Sequence, residues 1–401
     1  MRNLHIPLRG TASALLLLSL LSPVAAQTVK IGVILTLSGP NSEPGLQLDK
    51  GINLYVQEHE RDLPAGVKVA LVRRDDTGPN PEVAKRLAQE LVTRDHVQFL
   101  AGVVYSPNAV AIAPITAEAK LPLVIMSAAG SAITRMSPYI VRVSDTLWQT
   151  SYPMGQWTVQ QGMKKAYTVV SDYIPGYDAE GGFIKAFKAG GGDIVGSIRL
   201  PLAEVDFVPF LQRVKDAKPE VAFLFTPGGK QSSTLMRAWT DLGITAAGVK
   251  LVTTQDVVSD ELLPSMGDVT LGVVSAGVYS PVAARPQNTA FLRAWTKVYG
   301  ADAVPNYNVV FAWDGMAAIF DVIKQTKGTF TADQAMEILK NWKNPDSPRG
   351  PIMIDPETRD IVQNVYIRRV EKQKGILSNV EFATVPQVKD PWKEFNPPQH
   401  Q

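Results

Sequence analysis

The chain of 401 residues carries 40 basic and 38 acidic residues and no cysteine. Its length exceeds what one ordinary hydrophobic core organises, which predicts two domains. The balanced charge argues against nucleic acid or an anionic membrane surface as a partner, and the lack of cysteine excludes disulfides, thiolate metal sites and a lipid-modified cysteine.

The amino terminus has the pattern of a secretory signal peptide. Arg2 and Arg9 precede an apolar run over residues 12–21, and small residues then lead to an expected cleavage after Ala26. The run is well short of the ~20 residues that span a bilayer, which disfavours the alternative of a membrane anchor. We therefore expect an exported protein, free in the periplasm, with no direct membrane anchor.

The first part of the mature chain alternates strands with amphipathic helices. β-Branched segments predict strands over residues 29–37, 68–73 and 139–143. Between the last two lies the stretch 100–131, which reads as strand, loop, helix from Ser106, second strand, and a small-residue loop over 127–131. Repeated units of this length predict a doubly wound parallel sheet with helices on its faces.

The same rhythm restarts near residue 148. Helices are predicted over 149–162, 178–189, 207–217 and 232–242, and strands over 166–171, 193–200, 220–225 and 249–254. This pattern predicts a second α/β lobe built like the first.

The last third has too few strands for a sheet of its own. A strand over 271–278 is followed by helices over 286–299, 308–325 and 332–342, which we expect to complete the first lobe. A hairpin over 352–370, turning at 355–360, is expected to cross back to the second. The predicted boundaries are 27–147 and 277–355 for lobe I, 148–276 and 356–385 for lobe II, and a proline-rich surface tail over 386–401. Repeated crossings predict a multi-strand hinge and a clamshell that closes on a ligand.

Residues that carry enzyme chemistry are scarce. The four histidines show no metal-ligand spacing, and no serine lies in a G-x-S-x-G motif. Residues 227–233 resemble the end of a phosphate-binding loop, but Leu224 stands where the motif requires glycine. We therefore predict a binding protein without cofactor or metal, and keep an exported hydrolase as the alternative.

Polar, small and aromatic residues follow the predicted strands at their carboxyl ends. Open α/β sheets bind ligands at that edge, and small-ligand sites combine apolar walls with a few polar groups. For any one of these residues, loop packing or capping explains its identity equally well. Their shared edge makes them the candidate site: Tyr105, Ser106, Ala129, Gly130, Ser131, Tyr173, Phe225, Thr226, Asp256 and Tyr307. The helix start at Ser106 also offers unpaired N–H groups that suit a carboxylate.

Short motifs in a fixed order resemble one known family. The chain is similar, over nearly its whole mature length, to the leucine/isoleucine/valine-binding type of periplasmic substrate-binding proteins that serve ABC transporters. The motifs occupy residues 31–40, 51–54, 75–77, 102–106, 122–127, 312–315 and 350–351. The resemblance implies the type I two-lobed fold, a small-molecule carboxylate ligand, membrane permease subunits as partners and a monomeric protein. A periplasmic sensor subunit on the same fold is the alternative.

The resemblance also implies roles for individual residues. Ser106, Ala129 and Ser131 match the positions that hold the ligand carboxylate in the family. Asp256 is the nearest match to the acid that pairs with an α-ammonium group, although it is one methylene shorter than the usual glutamate. Residues 172–176 follow the Asp-Tyr-x-Pro-Gly pattern of a subset, which raises an aromatic or other organic carboxylate as a ligand beside a branched-chain amino acid.

Overall fold

The computed structural model describes residues 27–202 and 206–398. The predicted signal peptide therefore lies outside the described residues. The first sheet is five-stranded and entirely parallel, in the order β2-β1-β3-β4-β5. Its strands are β1 Gln27–Leu35, β2 Val67–Asp75, β3 Phe99–Gly102, β4 Leu123–Ile125 and β5 Ile140–Arg142, and the helices between them are α1 Glu43–His59, α2 Pro81–Thr93 and α3 Ser106–Ala119. This confirms the doubly wound α/β prediction for the first lobe.

The second lobe begins with α4, which packs against α5 and against strands of the second sheet. Five parallel strands form the core of that sheet in the order β10-β9-β8-β6-β7. The strands are β6 Lys165–Ser171, β7 Asp193–Leu200, β8 Val221–Phe225, β9 Lys250–Thr254 and β10 Val274–Gly277. The helices are α4 Leu147–Gln160, α5 Ile174–Ala189, α6 Val208–Ala217, α7 Gly229–Asp241 and the single turn α8 Leu263–Met266.

The helices of the last third pack against the first lobe. Its helices are α9 Pro286–Tyr299, α10 Tyr307–Thr326 and α11 Ala332–Lys340. The long helix α10 packs directly on α1, where Gly51 allows the two backbones to approach closely because a Cβ there would overlap Val309 O. The Tyr299 hydroxyl also donates to Lys50 O at 2.9 Å.

The carboxyl-terminal strands join the two lobes. They are β11 Lys343–Asn344, β12 Ile352–Ile354, β13 Ile361–Gln373 and β14 Ile376–Val388, followed by α12 Pro391–Phe395. Strand β12 pairs antiparallel with β13, which confirms the predicted hairpin, and β13 continues along β10 as an antiparallel neighbour. The second sheet is therefore mixed, whereas the sequence predicted a parallel one.

The proline-rich segment expected as a surface tail begins within strand β14 and continues into helix α12. Strand β14 pairs with β13 through Val388, beyond the expected end of the second lobe at 385. Helix α12 starts at its N-cap Asp390, and the buried Lys393 ammonium donates to Thr134 Oγ1 at 2.7 Å and lies 3.1 Å from Asp360 Oδ2. These tertiary contacts hold the end of the chain against the first lobe.

Buried polar side chains hold the crossing segments together. Gln149 Nε2 donates to Ile361 O at 2.8 Å and to Val388 O at 2.9 Å. Arg349 Nη2 donates to Val143 O and its Nη1 to Gln363 Oε1, both at 2.6 Å. Because these bonds satisfy groups from several crossing segments at once, the hinge is a cross-linked unit rather than a set of free linkers.

Candidate functional site

A narrow cavity of about 40 Å³ lies between the two lobes at the carboxyl ends of their parallel strands. Both sheets contribute to its wall, as expected for a ligand crevice in open α/β sheets. Of the predicted site residues, Tyr105, Ala129, Tyr173, Phe225, Asp256 and Tyr307 line it. The sequence reasoning did not select the other lining residues, which are Pro44, Val104, Ser127, Leu147, Pro175, Pro227 and Asn308.

Several helices begin at this cavity. Tyr105 and Tyr173 are the N-cap residues of α3 and α5, Leu147 and Tyr307 are the first residues of α4 and α10, and Pro44 lies in the first turn of α1. Helix N-termini carry unpaired N–H groups and the positive end of the helix dipole. The cavity is therefore an environment that favours an anion.

Aromatic rings form much of the wall. The rings of Tyr173 and Phe225, both from lobe II, are nearly parallel, with an angle of 18° between planes and 6.1 Å between centroids. Tyr105 from lobe I is fixed by its hydroxyl, which donates to Asn41 O at 2.9 Å. Rigid aromatic surfaces of this kind favour a flat apolar group between the lobes.

Four predicted site residues lie directly behind the wall. Ser106 Oγ accepts a hydrogen bond from Gly130 N at 3.0 Å, and the Thr226 and Ser232 hydroxyls are 2.5 Å apart. Ser131 N donates to Asp178 Oδ2 at 2.8 Å. Ser106, Gly130, Ser131 and Thr226 are all buried. In this closed arrangement their polar groups face the protein.

Asp178 belongs to lobe II and reaches across to lobe I. The sequence predicted a helix that begins at Asp178 after a loop over 173–177, but α5 starts four residues earlier, at Ile174. The early start follows from Pro175 in the first turn, where proline favours helix initiation. Asp178 therefore lies in the second turn of α5 and contacts the Ser131 amide, a role that no local sequence signal indicated.

Asp256 lines the cavity, and a second buried acid, Asp145, lies close enough to influence its charge. The Tyr307 hydroxyl donates to Asp256 Oδ1 at 2.9 Å, and Gln255 Nε2 donates to Asp145 Oδ2 at 3.2 Å. Burial, followed by the charge of Asp256, raises the pKa of Asp145 to about 8. Burial also raises the pKa of Asp256, although the hydrogen bond from the Tyr307 hydroxyl lowers it. This acidic pair therefore holds a proton at neutral pH.

Among the described residues, no group of three or more histidine, cysteine, aspartate or glutamate side chains is arranged to hold a metal ion. Within the same ranges, every helix is too short or too polar to cross a membrane.

Comparison with known proteins places this architecture in a family. A family model described as periplasmic binding protein matches residues 28–375. The Leu/Ile/Val-binding protein homolog 6 of Brucella abortus (strain 2308) is 40% identical over 383 residues, covering 94% of this chain and 97% of its own length.

Solved structures of solute-binding proteins of ABC transporters show the same fold. One from Rhodopseudomonas palustris BisB5, in complex with 3,4-dihydroxy benzoic acid, has a TM-score of 0.87 and 45% identity, and the match covers 91% of this chain and 99% of the other. Another from R. palustris, in complex with 4-hydroxybenzoate, has a TM-score of 0.87 and 43% identity, covering 91% and 98%. The chain therefore belongs to the periplasmic binding protein family, with the type I two-lobed fold, and it is a binding protein rather than an enzyme.

Proposed function

We propose that this protein is the periplasmic solute-binding component of an ABC importer and that it captures an aromatic carboxylate between its lobes. The observation that carries the proposal is that helix N-termini and aromatic rings converge on one closed cleft. The closed form would then deliver the ligand to the permease subunits. Closure excludes water and strengthens polar contacts to the ligand.

The two features of the cleft match the two parts of such a ligand. A carboxylate buried without donors would be costly, and the N-termini of α3, α5 and α10 supply dipoles and N–H groups. A flat ring suits the rigid rings of Tyr105, Tyr173 and Phe225. The R. palustris relatives, at 43% and 45% identity, were solved with hydroxylated benzoates, and a third R. palustris protein, 26% identical, with benzoate.

A branched-chain amino acid is the second candidate. The Brucella relative is a Leu/Ile/Val-binding protein homolog, and Asp256 offers a carboxylate that could pair with an α-ammonium group. That carboxylate already accepts a hydrogen bond from the Tyr307 hydroxyl, however. It also lies close to a second buried acid, Asp145. A phenolic hydroxyl makes the same hydrogen bonds there without a charge, which favours the aromatic acid.

The residue roles follow from their positions. We assign direct ligand contact to Tyr105, Ala129, Tyr173, Phe225, Asp256 and Tyr307, and a supporting role behind the wall to Ser106, Gly130, Ser131 and Thr226. We further propose cleavage after Ala26 and a monomeric mature protein. Mass spectrometry of the protein released from the periplasm tests the cleavage site, and light scattering tests the monomer.

Thermal denaturation with a ligand panel tests the function. A ligand that binds only the native state stabilises it by about 2.7 kcal/mol at 100 times its Kd. We expect 4-hydroxybenzoate and benzoate to raise the Tm, and cyclohexanecarboxylate, which keeps the carboxylate but lacks the aromatic ring, to raise it much less. A response to leucine and not to the benzoates would establish the amino-acid alternative, and no response to any acid would overturn the carboxylate proposal.

A further inference from the structure

The short helix α12 contacts both lobes at once. On one side, Trp392 and Lys393 lie against the segment of lobe I between β4 and β5. On the other side, Phe395 lies against α4 and α5 of lobe II. Within the described ranges, no residue of α12 lines the cavity. The helix therefore bridges the two lobes outside the ligand site.

The contacts with lobe I are polar and largely buried. Lys393 is only 7% exposed, and its ammonium donates to Thr134 Oγ1 at 2.7 Å and lies 3.1 Å from Asp360 Oδ2. The Arg135 guanidinium donates to Asn396 O, just after the helix. Separating the Lys393 contacts would leave a buried charge without its partner, which is strongly unfavourable. We therefore expect α12 to stay attached to lobe I.

The contacts with lobe II are made by one aromatic ring. The centroid of the Phe395 ring lies 5.6 Å from that of Tyr152 and 6.0 Å from that of Trp148, both in α4. Lys185 Nζ, in α5, lies 4.7 Å from the centre of the same ring. Phe395 is still 41% exposed, so lobe II covers only part of it. Aromatic and cation–π contacts at a partly exposed site are weaker than a buried ion pair.

Opening of the clamshell has to break one of these two sets of contacts. A segment that touches both lobes can keep both sets only over a narrow range of lobe orientations, because rotation about the hinge moves α4 and α5 relative to β4 and β5. The Phe395 contacts are the weaker set and therefore the ones that separate. A contact that exists only in the closed form shifts the equilibrium toward that form.

We infer that α12 is a clasp, anchored on lobe I, whose Phe395 ring seats against α4 and α5 when the lobes close and so raises the affinity for ligand. The apparent Kd of a ligand that needs the closed cleft is inversely proportional to the fraction of protein that is closed. The inference goes beyond the proposed function, because the clasp acts on lobe closure and not on ligand chemistry. Its effect should be the same for every ligand.

Isothermal titration of the mature protein with 4-hydroxybenzoate and with benzoate tests the inference. Phe395→Ala should weaken the binding of both by the same factor, about 3- to 10-fold, which is the range for contacts of this kind. Phe395→Tyr keeps the ring and should restore both affinities to within about 2-fold of the wild type. In stopped-flow measurements the weakening should appear mainly in the dissociation rate, because the contact forms after the ligand has entered.

Phe382 in β14 provides a matched control. It is 42% exposed, its ring centroid lies 6.0 Å from that of Trp157 in α4, and the Arg369 guanidinium of β13 lies 4.6 Å from the centre of its ring. All of these partners belong to lobe II, so their contacts do not depend on lobe orientation. Phe382→Ala should therefore leave both affinities within about 2-fold of the wild type.

Three results would overturn the inference. The first is equal weakening by Phe395→Ala and Phe382→Ala. The second is a Phe395→Ala variant with a lower Tm but unchanged affinities, which would show that the ring contributes packing alone. The third is a different factor for the two benzoates, because a change in lobe closure affects both equally.

A leucine titration separates this inference from the proposed function. If the wild type binds leucine and neither benzoate, the proposed ligand is wrong, and the factor that Phe395→Ala causes for leucine tests the clasp. If the wild type binds none of these ligands, the proposed function fails and small-angle X-ray scattering of the unliganded proteins tests the clasp. A larger radius of gyration for Phe395→Ala than for the wild type and Phe382→Ala would then support it, and equal values would overturn it.

Discussion

Replacing Arg349 by methionine should destabilise the protein through the hinge. The Arg349 side chain is buried, and its Nε donates to Asp314 Oδ2 at 2.9 Å. The rest of the guanidinium donates to Val143 O and Gln363 Oε1, and its plane lies over the Phe311 ring. One side chain therefore connects α10, the end of β5 and β13.

The expected loss of stability follows from the Asp314 charge, which stays buried after Arg349 is replaced. Removing one partner of a buried ion pair costs about 3–5 kcal/mol, because the other charge stays buried without compensation. Unfolding entropy is about 2.1 cal/mol/K per residue, or about 0.8 kcal/mol/K for a chain of this length if it unfolds as one unit. The expected decrease in Tm is therefore about 4–6 °C.

Differential scanning calorimetry of Arg349→Met and two further variants tests this reasoning. The double variant Arg349→Met with Asp314→Leu removes both charges and should recover most of the lost stability, since buried pairs replaced by apolar residues are often neutral. Arg86→Ala, which breaks the exposed pair with Glu90, is the control and should change the free energy of unfolding by less than about 1 kcal/mol. A double variant less stable than Arg349→Met alone would refute the charge argument.

Two further predictions concern the cleft. The pKa of about 8 at Asp145, raised by burial and by Asp256, means that the native chain keeps a proton that the unfolded chain releases above about pH 4. This contribution to stability is lost as the pH rises from about 4 to about 8. Over that range the Tm of Asp145→Asn should therefore fall less than the Tm of the wild type. An equal fall would exclude the raised pKa. Gly176→Ala places a Cβ onto Ser171 O, which should displace the start of α5 and lower both Tm and 4-hydroxybenzoate affinity. Gly182→Ala in the same helix, whose Cβ would have its nearest neighbour at 3.3 Å, should be tolerated much better, and equal effects would contradict the steric argument.

The sequence predicts the parts of the fold that depend on local periodicity. Helix α9 was predicted with its observed bounds, and α10 within one residue at each end, because apolar residues repeat with helical spacing over many turns. Helix α12 was not predicted. It is held by partners far away in sequence, such as Asp360 and Thr134 for Lys393, and no local pattern shows such contacts.

The sequence predicts which loops meet at the site. It does not predict which hydrogen-bonding groups in those loops lack a partner. Parallel strands bring their carboxyl ends to one edge, so Tyr105, Tyr173 and Asp256 could be placed together from the sequence. Whether a donor already has an acceptor depends on three-dimensional contacts. Ser131 is such a case, because its amide partner Asp178 comes from the other lobe and was expected only at the start of its helix.

The topology explains why ligand class can change while the scaffold stays the same. Helices α1, α3, α4, α5 and α10 begin at the cleft, so a captured ligand meets their first-turn and N-cap residues. The positive helix ends favour an anion whatever those side chains are. Selectivity then depends on the side chains that line the cavity beside these helix starts, which here include Tyr105, Tyr173 and Asp256. Substituting them would change which ligand fits without altering either sheet.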